Sequence, residues 1–437
     1  MYSKKLETLF YSKGISIGDK VRLRKKDGVY EGILMPRAGR TDEEMLVLKL
    51  ASGYNIGINI GKDDTLERAP VQPKRTERKA TASFDRSKPQ VTLIATGGTI
   101  ISKVDYRTGG VTALANPEDI LDGIPELADF STLKLTSPFN IMSESMSIKH
   151  WQDLAVEAVK ELRTSEGVIV TQGTDTLHFT SAALSFMVTN LNKPVVLVGS
   201  QRSSDRGSSD AAMNLICSVR VALSDIAAVG VCMHAGSNDD YCIFSRGTKV
   251  RKMHTSRRDA FRPINELPMA KVWPDGRIQN MFHVKNRGEG TPKADIEFED
   301  KIALVKTYPG SNPAVLEFYA DRGYRGIVLE VTGLGQVPTY GKGSWLDGIK
   351  KSTEKGMLVC GAAQAIYGRL NPNVYAEGRL AKAAGLLHLE DMLPETAYVK
   401  LGWVLGHTKS VEKAREMMLT NYAGEISART LPEAYLY

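Results

Sequence analysis

Cysteine, histidine and long apolar runs are all scarce in this sequence of 437 residues, and each shortage excludes a class of protein. The four cysteines are scattered without a C-x-x-C pair, which argues against a disulfide framework or a cysteine-rich zinc site. The seven histidines show no metal-ligand spacing such as H-E-x-x-H, so no metal site is predicted. No apolar run approaches the roughly 18 residues that span a bilayer, and the opening MYSKKLETLFYSKG lacks the apolar core of a secretory signal. We therefore expect a cytoplasmic protein with reduced, buried thiols.

Positive charge is in excess only near the N-terminus. Residues 1–90 hold 19 Lys and Arg against 12 Asp and Glu, whereas the remaining 347 residues hold 38 of each. The excess is densest at residues 68–90, which have seven positive and two negative charges. A solvated linker is the favoured interpretation. A weak electrostatic surface for nucleic acid or an acidic partner is the alternative.

The N-terminal 70 residues have the pattern of a small all-β module. DKVRLRKKDGVYEGILMPR alternates apolar and polar residues around a Lys-Asp-Gly turn, and MLVLKLASGYNIGINI repeats the pattern around Ser-Gly. Short strands joined by tight turns predict an SH3-like barrel over residues 1–70. Residues 71–90 are rich in Pro, Ser and charge, and this composition predicts a linker.

From residue 91 onwards, apolar strands alternate with segments of helical length. The strand-like stretches are VTLIA, VIVTQGTD, VVLVGS, VGVCMHA, IALVKTYP, GIVLEVTG and MLVCGAAQ. Such continuous Val/Ile/Leu strands predict an α/β fold with mainly parallel sheets covered by helices. The polar residues 284–300 are predicted to link one α/β domain at 91–283 to a second at 301–437. Ligands in such folds bind at the carboxyl ends of the strands.

Three hydroxyl-rich turns follow predicted strands and are candidates for the site. The first is ATGGTI at 95–100, which contains Thr99. The other two are TQGTDT at 171–176 and NIMSES at 140–145. Glycine beside a hydroxyl lets the backbone approach a substrate closely. Taken singly, each turn is more often a helix cap or an Asx-turn. Together, hydroxyls and carboxylates from separate strand ends can converge on one pocket.

A hydroxyl nucleophile needs a base, and the sequence has no G-x-S-x-G elbow. The histidines that lack an evident Ser or Asp partner are His150, His178 and His254. A lysine whose charge is disfavoured by burial or by neighbours is the other choice. Candidates lie in SRGTKVRKMHTSRRDAF, residues 245–261, where spacing alone does not choose between Lys249, Lys252 and the arginines.

In combination these motifs resemble the bacterial-type L-asparaginase/glutaminase family. The resemblance rests on ATGGTI with Thr99, TQGTDT with Thr174 and Asp175, and Lys252, which precedes the Phe of RRDAF by nine residues. It covers roughly residues 90–437 and implies two asparaginase-like α/β domains. This family spacing selects Lys252 rather than the other lysine of the run.

The resemblance implies roles for these four residues. Thr99 is expected to attack the side-chain amide carbonyl, and Thr174, Lys252 and Asp175 are expected to form the relay that activates a hydroxyl or water. A Lys–Asp pair can fix the geometry and move a proton without histidine. Which threonine attacks first is left open.

Further matches to the family concern a lid and the substrate's α-groups. Tyr106 in YRTGGV matches a tyrosine on the family's mobile flap, so residues 101–113 are a lid candidate. Ser143 and Glu144 match a pair that holds the α-carboxylate and α-amino groups of the substrate, and Asp175 also faces the α-amino group. Glu144 stands where Gln is common, which adds negative charge near that ammonium.

The N-terminal module narrows the resemblance to the family of D subunits of archaeal glutamyl-tRNA(Gln) amidotransferases. DKVRLRKKDGVYEGILMPR, AIYGRLNPNVYAEGR (365–379) and AYVKLGWVLGHT (397–408) are similar to that family. The resemblance implies a glutaminase half-reaction in a carbon–nitrogen ligase, in which ammonia from glutamine or asparagine passes to a partner, the E subunit. It also implies a homodimer within a heterotetramer of two D and two E subunits, with ATP, Mg and most tRNA contacts at the partner. No cofactor is expected in the D subunits themselves.

Two other interpretations stay open on the sequence alone. One is a stand-alone cytosolic L-asparaginase with an accessory N-terminal domain. The other is a non-catalytic adaptor that binds RNA through its basic module, against which the intact threonine, lysine and aspartate motifs argue. Glutamine and asparagine are not ranked, because one methylene changes discrimination by only roughly 1–3 kcal/mol.

Overall fold

The structure is a computed structural model. It describes residues 2–35, 44–50, 55–61, 63–69, 87–97, 102–104, 111–113, 124–202, 209–288 and 290–437. Most of the predicted linker at 71–90 lies outside these residues.

The N-terminal unit is a five-stranded antiparallel sheet with one helix. Its elements are α1 (Lys4–Ser12), β1 (Lys20–Lys25), β2 (Gly28–Leu34), β3 (Met45–Lys49), β4 (Asn55–Asn59) and β5 (Thr65–Arg68). The strand order is β4-β3-β2-β1-β5, and the alternating Val21 and Leu23 are buried, as the sequence pattern predicts. The sequence pattern does not predict α1, because this short helix buries only Leu6 and Phe10 and is capped by Ser3. Those two residues enter the same core as the strands.

The second unit is built on an eight-stranded mixed sheet, and it also contains short strands that lie outside this sheet. Its strands are β6 (Gln90–Ala95), β7 (Ser102–Val104), β8 (Val111–Ala113), β9 (Thr132–Thr136), β10 (Gly167–Thr171), β11 (Val188–Thr189), β12 (Val195–Val198), β13 (Val229–His234), β14 (Cys242–Arg246), β15 (Val250–Lys252), β16 (Phe261–Pro263), β17 (Ala270–Val272) and β18 (Ile278–Asn280). Its helices are α2 (Ile148–Leu162), α3 (Leu177–Met187) and α4 (Ala211–Ala222). The order is β18-β17-β14-β13-β12-β10-β6-β9. The strands from β13 to β9 are parallel, and the other three pairings are antiparallel.

The third unit is built on a four-stranded parallel sheet and is preceded by the short linker strand β19 (Lys293–Ala294). Its elements are β20 (Ile302–Lys306), α5 (Ala314–Asp321), β21 (Gly326–Val331), α6 (Leu346–Glu354), β22 (Leu358–Ala363), α7 (Ala376–Ala383), β23 (Leu387–His388), α8 (Pro394–His407) and α9 (Val411–Leu419). The strand order in the sheet is β20-β21-β22-β23. In the predicted linker at 284–300, β19 pairs with β11 of the second unit. Helices α3 and α8 pack against each other and join the two α/β units.

Burial explains why these sequences form parallel sheets. Every residue of β10 and β12 is buried, which requires cover on both faces and matches their continuous apolar sequences. The four cysteines are free and buried. Within the described ranges, the helices are all too short or too polar to cross a bilayer. The α/β fold with mainly parallel sheets is therefore confirmed.

The register of three strands aligns the candidate turns. Ala95 of β6 lies opposite Thr171 of β10, and Ile94 lies opposite Thr136 of β9. The three strands therefore end at one edge of the sheet, and the three hydroxyl-rich turns leave from that edge.

Candidate active site

The first turn begins in close contact with the loop that follows β9. Thr96 is fully buried, and its N–H and Oγ1 donate to the Thr171 carbonyl at 3.1 and 2.9 Å. Its own carbonyl accepts from the Ile141 N–H at 2.9 Å. Gly97 has φ of 114°, and a Cβ there would lie 2.4 Å from the Ile141 carbonyl oxygen. Only glycine fits this turn, for both reasons.

Two predicted site residues, Thr99 and Tyr106, lie outside the described residues, so their roles stay predictions. The described part of the lid candidate at 101–113 is an antiparallel pair in which β7 contacts β8.

The second and third turns are hydrogen-bonded to each other. Oγ1 of Thr176 donates to the Ser143 carbonyl at 2.6 Å and accepts from Nε2 of Gln172 at 3.2 Å. A Cβ on Gly173 would lie 2.9 Å from Cβ of Ser143, so this glycine is required by space rather than by its φ of −57°. The two turns therefore present Thr174 and Ser143 side by side.

Lys252 joins the second turn from a separate hairpin. Its Nζ donates to Oγ1 of Thr174 at 2.9 Å and to Oδ1 of Asp175 at 2.7 Å. The lysine side chain is 10% exposed, whereas that of Asp175 is 69% exposed. Lys252 pairs across the hairpin with Phe261, so the nine-residue spacing seen in the sequence is a cross-strand pair of β15 and β16.

Salt bridges hold the loop of that hairpin. Asp259 accepts two hydrogen bonds from Arg257, both at 2.8 Å, and one from Arg262 at 2.6 Å. The hydrogen bonds from Arg257 are the main cause that lowers the pKa of Asp259 to about 2, opposed by partial burial. The N–H of Met253, next to the lysine, donates to the Ala260 carbonyl at 2.7 Å. The charged loop thus fixes the strand that ends in Lys252.

The structure separates Lys252 from Lys249, which spacing alone does not. Nζ of Lys249 lies 2.7 Å from Oδ2 of Asp391, and both side chains are fully buried. This lysine is engaged in a closed ion pair between the second and third units.

The three histidines have different surroundings. Nδ1 of His150 accepts from the N–H of Ser147 at 3.1 Å, as part of the N-terminal cap of α2. Nδ1 of His254 accepts from the N–H of Ser256 at 3.0 Å within the hairpin loop. His178 is buried, and burial is the main cause that lowers its pKa to about 3, so it is neutral at physiological pH.

Ser143 and Glu144 occupy a single 3-10 turn, Ser143–Ser145, beside Thr174. Ser143 is 3% exposed and Glu144 is exposed. Their predicted contact with the substrate α-groups stays a prediction, as does the matching role of Asp175.

The sequence patterns do not predict three residues of this neighbourhood. A Cβ on Gly199, just after β12, would lie 2.7 Å from Cγ2 of Thr174, so only glycine leaves room for that threonine. The sequence signal that indicates Gly199 is its position directly after the predicted strand VVLV. The other two form an ion pair of 2.8 Å, between Arg251, which is only one of several arginines in the candidate run at 245–261, and Glu395, which has no local sequence signal.

Chemically, the arrangement can move protons. A hydroxyl, an ammonium and a carboxylate are linked by hydrogen bonds at a strand edge, which is the set needed to activate a hydroxyl without histidine. The described part of the chain contains no group of three or more His, Cys, Asp or Glu placed to hold a metal ion.

Comparison with known families gives three matches along the chain. Residues 15–67 match the GatD N-terminal domain, residues 90–284 match the model described as Asparaginase, N-terminal, and residues 301–418 match the Glutaminase/Asparaginase C-terminal domain.

Two curated relatives match over almost their whole length. The chain is 49% identical over 442 residues to the D subunit of glutamyl-tRNA(Gln) amidotransferase from Thermococcus kodakarensis, with 99% of each chain covered. It is 50% identical over 441 residues to the protein of the same name from Pyrococcus horikoshii, with 99% of this chain and 100% of the relative covered.

Two solved L-asparaginase structures match this chain. The thermostable L-asparaginase from Thermococcus kodakarensis matches with a TM-score of 0.71 and 31% identity, over 78% of this chain and all of that chain. L-asparaginase I from Vibrio cholerae matches with a TM-score of 0.67 and 26% identity, over 78% of this chain and 99% of that chain.

Proposed function

Because the chain belongs to the family of D subunits of glutamyl-tRNA(Gln) amidotransferases, within the wider asparaginase family, we propose that it releases ammonia from glutamine or asparagine. A partner protein then uses this ammonia to convert Glu-tRNA(Gln) to Gln-tRNA(Gln). The observation on which the proposal depends is Nζ of Lys252 shared between Thr174 and Asp175, in a chain that also has the N-terminal domain of these subunits.

The proposed reaction proceeds through a threonine ester. Oγ1 of Thr99 attacks the side-chain amide carbonyl, the C–N bond breaks, and the amide nitrogen takes up a proton and leaves as ammonia. Water then hydrolyses the ester, which releases glutamate or aspartate and restores the hydroxyl. Lys252 and Thr174 pass the protons, supported by their 2.9 Å hydrogen bond.

The substrate's charged α-groups define the rest of the site. We assign the α-carboxylate and α-amino groups to Ser143, Glu144 and Asp175. Asp175 suits the ammonium because its carboxylate is largely exposed while one oxygen stays fixed by Lys252 at 2.7 Å. Tyr106 is proposed to close over the donor from the lid.

The proposal also includes the complex in which this chain works. The E subunit is the partner, two D and two E subunits form a heterotetramer around a D homodimer, and the complex works in the cytoplasm. ATP and Mg bind at the E subunit, which also makes most of the tRNA contacts. The small β unit serves mainly in docking or signalling between subunits.

The test is amide-donor hydrolysis by the purified full chain, with and without the E subunit and Glu-tRNA(Gln). We expect ammonia release from glutamine or asparagine that rises when both are added, together with formation of Gln-tRNA(Gln). A second candidate is a stand-alone L-asparaginase, which the likeness to two L-asparaginase structures favours. High hydrolysis that ignores the E subunit and tRNA, without Gln-tRNA(Gln), would establish that candidate instead.

A further inference from the structure

A chain of buried hydrogen bonds begins at the loop that follows β12 in the second unit. In this loop the carbonyl of Gly199 accepts from Nδ2 of Asn214 at 3.0 Å. The N–H groups of Gln201 and Arg202 both donate to Oδ1 of Asp210, at 3.1 and 3.0 Å. Asn214 lies on α4 and Asp210 directly precedes that helix, and both side chains are fully buried. The first turn of α4 therefore holds the loop through its side chains.

The same asparagine reaches His234, the last residue of β13, which is also fully buried. Oδ1 of Asn214 accepts from the N–H of His234 at 3.0 Å and lies 2.5 Å from Nδ1 of its ring. Nδ2 of Asn214 also donates to Oδ2 of Asp210 at 3.0 Å. Because Nδ2 faces a carbonyl and a carboxyl oxygen, the amide has only this orientation, and Nδ1 of His234 is the donor to Oδ1. The amide thus holds the loop with one end and β13 with the other.

The chain of hydrogen bonds ends in the hairpin that includes Lys252. Nε2 of His234 lies 3.0 Å from Oδ1 of Asp239, and the same oxygen accepts from NH1 of Arg258 at 2.6 Å. Arg258 belongs to the loop between β15, which ends in Lys252, and β16. The side chain of Asp239 is 66% exposed, so this end of the chain is at the surface. We call these five side chains the Asn214 network: Asp210, Asn214, His234, Asp239 and Arg258.

The buried end of the network lies against Thr174. A Cβ on Gly199 would lie 2.7 Å from Cγ2 of Thr174, so this glycine leaves the threonine side chain no room to turn towards it. If the loop moved away, the side chain could rotate, and Oγ1 would lose its 2.9 Å hydrogen bond from Nζ of Lys252. We propose that Asn214 is a positioning residue that holds Gly199 against Thr174 and thereby keeps the threonine hydroxyl on Lys252. Its kinetic consequence rests on the proposed function, in which Lys252 and Thr174 pass protons.

Dense packing alone would give a different order of effects, and two variants of His234 separate the two explanations. In His234→Asn, the shorter amide places its nitrogen near the position of Nδ1, so it keeps the donor to Asn214 and loses Asp239. In His234→Gln, the longer amide reaches the position of Nε2 instead, so it keeps Asp239 and removes the ring donor to Asn214. Gln is closer to His in size, so packing alone favours His234→Gln, whereas the positioning role favours His234→Asn.

The experiment measures kcat and KM for ammonia release by the full chain with the E subunit and Glu-tRNA(Gln), per folded molecule. Its main variant is Asn214→Asp, because a carboxyl group has at most one hydrogen and cannot donate to both Gly199 and Asp210. We expect kcat to fall by about 10–100-fold in Asn214→Asp and in His234→Gln, but to stay within a few-fold of the parent in His234→Asn. KM should change by less than about threefold, because other turns are assigned to the substrate's α-groups.

Backbone hydrogen exchange, followed by mass spectrometry, measures the same loop without turnover. The N–H groups of Gln201 and Arg202 are bonded to Asp210, so they exchange only when the loop opens. We expect peptides that contain them to exchange about tenfold faster in Asn214→Asp than in the parent. The two His234 variants should follow the same order as in the kinetic experiment.

The matched control is Asn265→Asp. Asn265 is also buried, and its Nδ2 donates to two carbonyls of the third unit, those of Gly368 at 3.0 Å and Asp391 at 3.3 Å. This variant should lower stability but leave kcat per folded molecule and exchange of the loop near those of the parent.

Two results would overturn the inference: equal kcat in parent and Asn214→Asp, or a higher kcat in His234→Gln than in His234→Asn. Absence of ammonia release in the parent would reject the proposed function instead. Hydrogen exchange would then decide the inference by itself, and unchanged exchange of the loop in Asn214→Asp would reject it.

Discussion

Lys249 and Lys252 lie three residues apart in the sequence, but the carboxylates that they bind differ in their exposure to solvent. The Lys249 region is closed, because Nζ lies 2.7 Å from Oδ2 of Asp391 and neither side chain is exposed. The Lys252 region is half open, because its Nζ is shared between a threonine hydroxyl and a carboxylate that is 69% exposed. The closed Lys249–Asp391 pair can only hold the second and third units together, whereas the exposed carboxylate beside Lys252 is accessible to a substrate.

Substitution of Lys252 should have the largest effect, and it should be on activity. We expect Lys252→Met to lower ammonia release by about 10²–10⁴-fold, because Thr174 loses its proton partner. The free energy of unfolding should change little, since the partner Asp175 stays solvated. Ammonia release and urea unfolding of the same preparations check both statements.

A surface pair provides the control for this variant. Lys355 lies 2.6 Å from Asp321, with both side chains at least half exposed. Lys355→Met should leave both activity and stability near those of the parent. If Lys252→Met retained activity within a few-fold of the parent, the half-open region would have no part in the chemistry.

Substitution of Lys249 should reverse the pattern. Burial lowers the pKa of Lys249 and the Asp391 charge opposes this, in a site where neither side chain is exposed. Lys249→Met leaves a buried carboxylate, and we expect a loss of about 3 kcal/mol in urea unfolding. The value is at the lower end of the usual range because Oδ1 of Asp391 still accepts from the Ser427 N–H at 3.0 Å and lies 3.6 Å from NH2 of Arg369.

The second substitution for this region is Asp391→Asn. Added to Lys249→Met, it removes the buried negative charge that has lost its lysine, leaving only Arg369, at 3.6 Å, without this carboxylate, and should recover most of the lost stability. Ammonia release per folded molecule should stay within a few-fold of the parent in both variants. A loss of activity as large as that of Lys252→Met would erase the distinction between the two regions.

Local sequence patterns predict the sheets and the turns of the site. Continuous apolar stretches such as VVLV become buried parallel strands, and their ends place the Thr96, Ile141 and Thr174 turns at one edge. The spacing of Lys252 and Phe261 becomes a strand pair. These features are predictable because each depends on residues close together in the chain, or on the known edge of a parallel sheet.

Features that depend on distant contacts are not predictable in this way. Arg251 meets Glu395 only after two α/β units have docked, and neither residue stands out in a run of similar charges. The difference between Lys249 and Lys252 likewise comes from which distant carboxylate or hydroxyl each one meets. Helix α1 depends on two buried side chains and a cap, which is too little for a periodic signal.

The smallest expected effect concerns the loop that fixes Lys252. The pKa of Asp259 is held at about 2, mainly by Arg257, while its value in the unfolded chain is about 3.9. A lowered folded-state pKa gives stability that is complete above about pH 4 and is lost as the pH falls through about 2. We expect Asp259→Asn to lower the free energy of unfolding by about 1–2 kcal/mol at pH 7, less than the full pKa difference because Arg257 is half exposed.

Urea unfolding of parent and Asp259→Asn at a series of pH values from 7 downwards tests this. The difference between the two proteins should shrink below pH 4 for as long as both stay folded, because the aspartate then becomes neutral like the asparagine. A difference that stayed constant with pH would mean that Asp259 acts through its hydrogen bonds alone. In that case hydrogen bonds, rather than the charge of Asp259, would fix the loop beside Lys252. The Lys252 region would then differ from the closed Lys249–Asp391 pair only in the burial of its side chains.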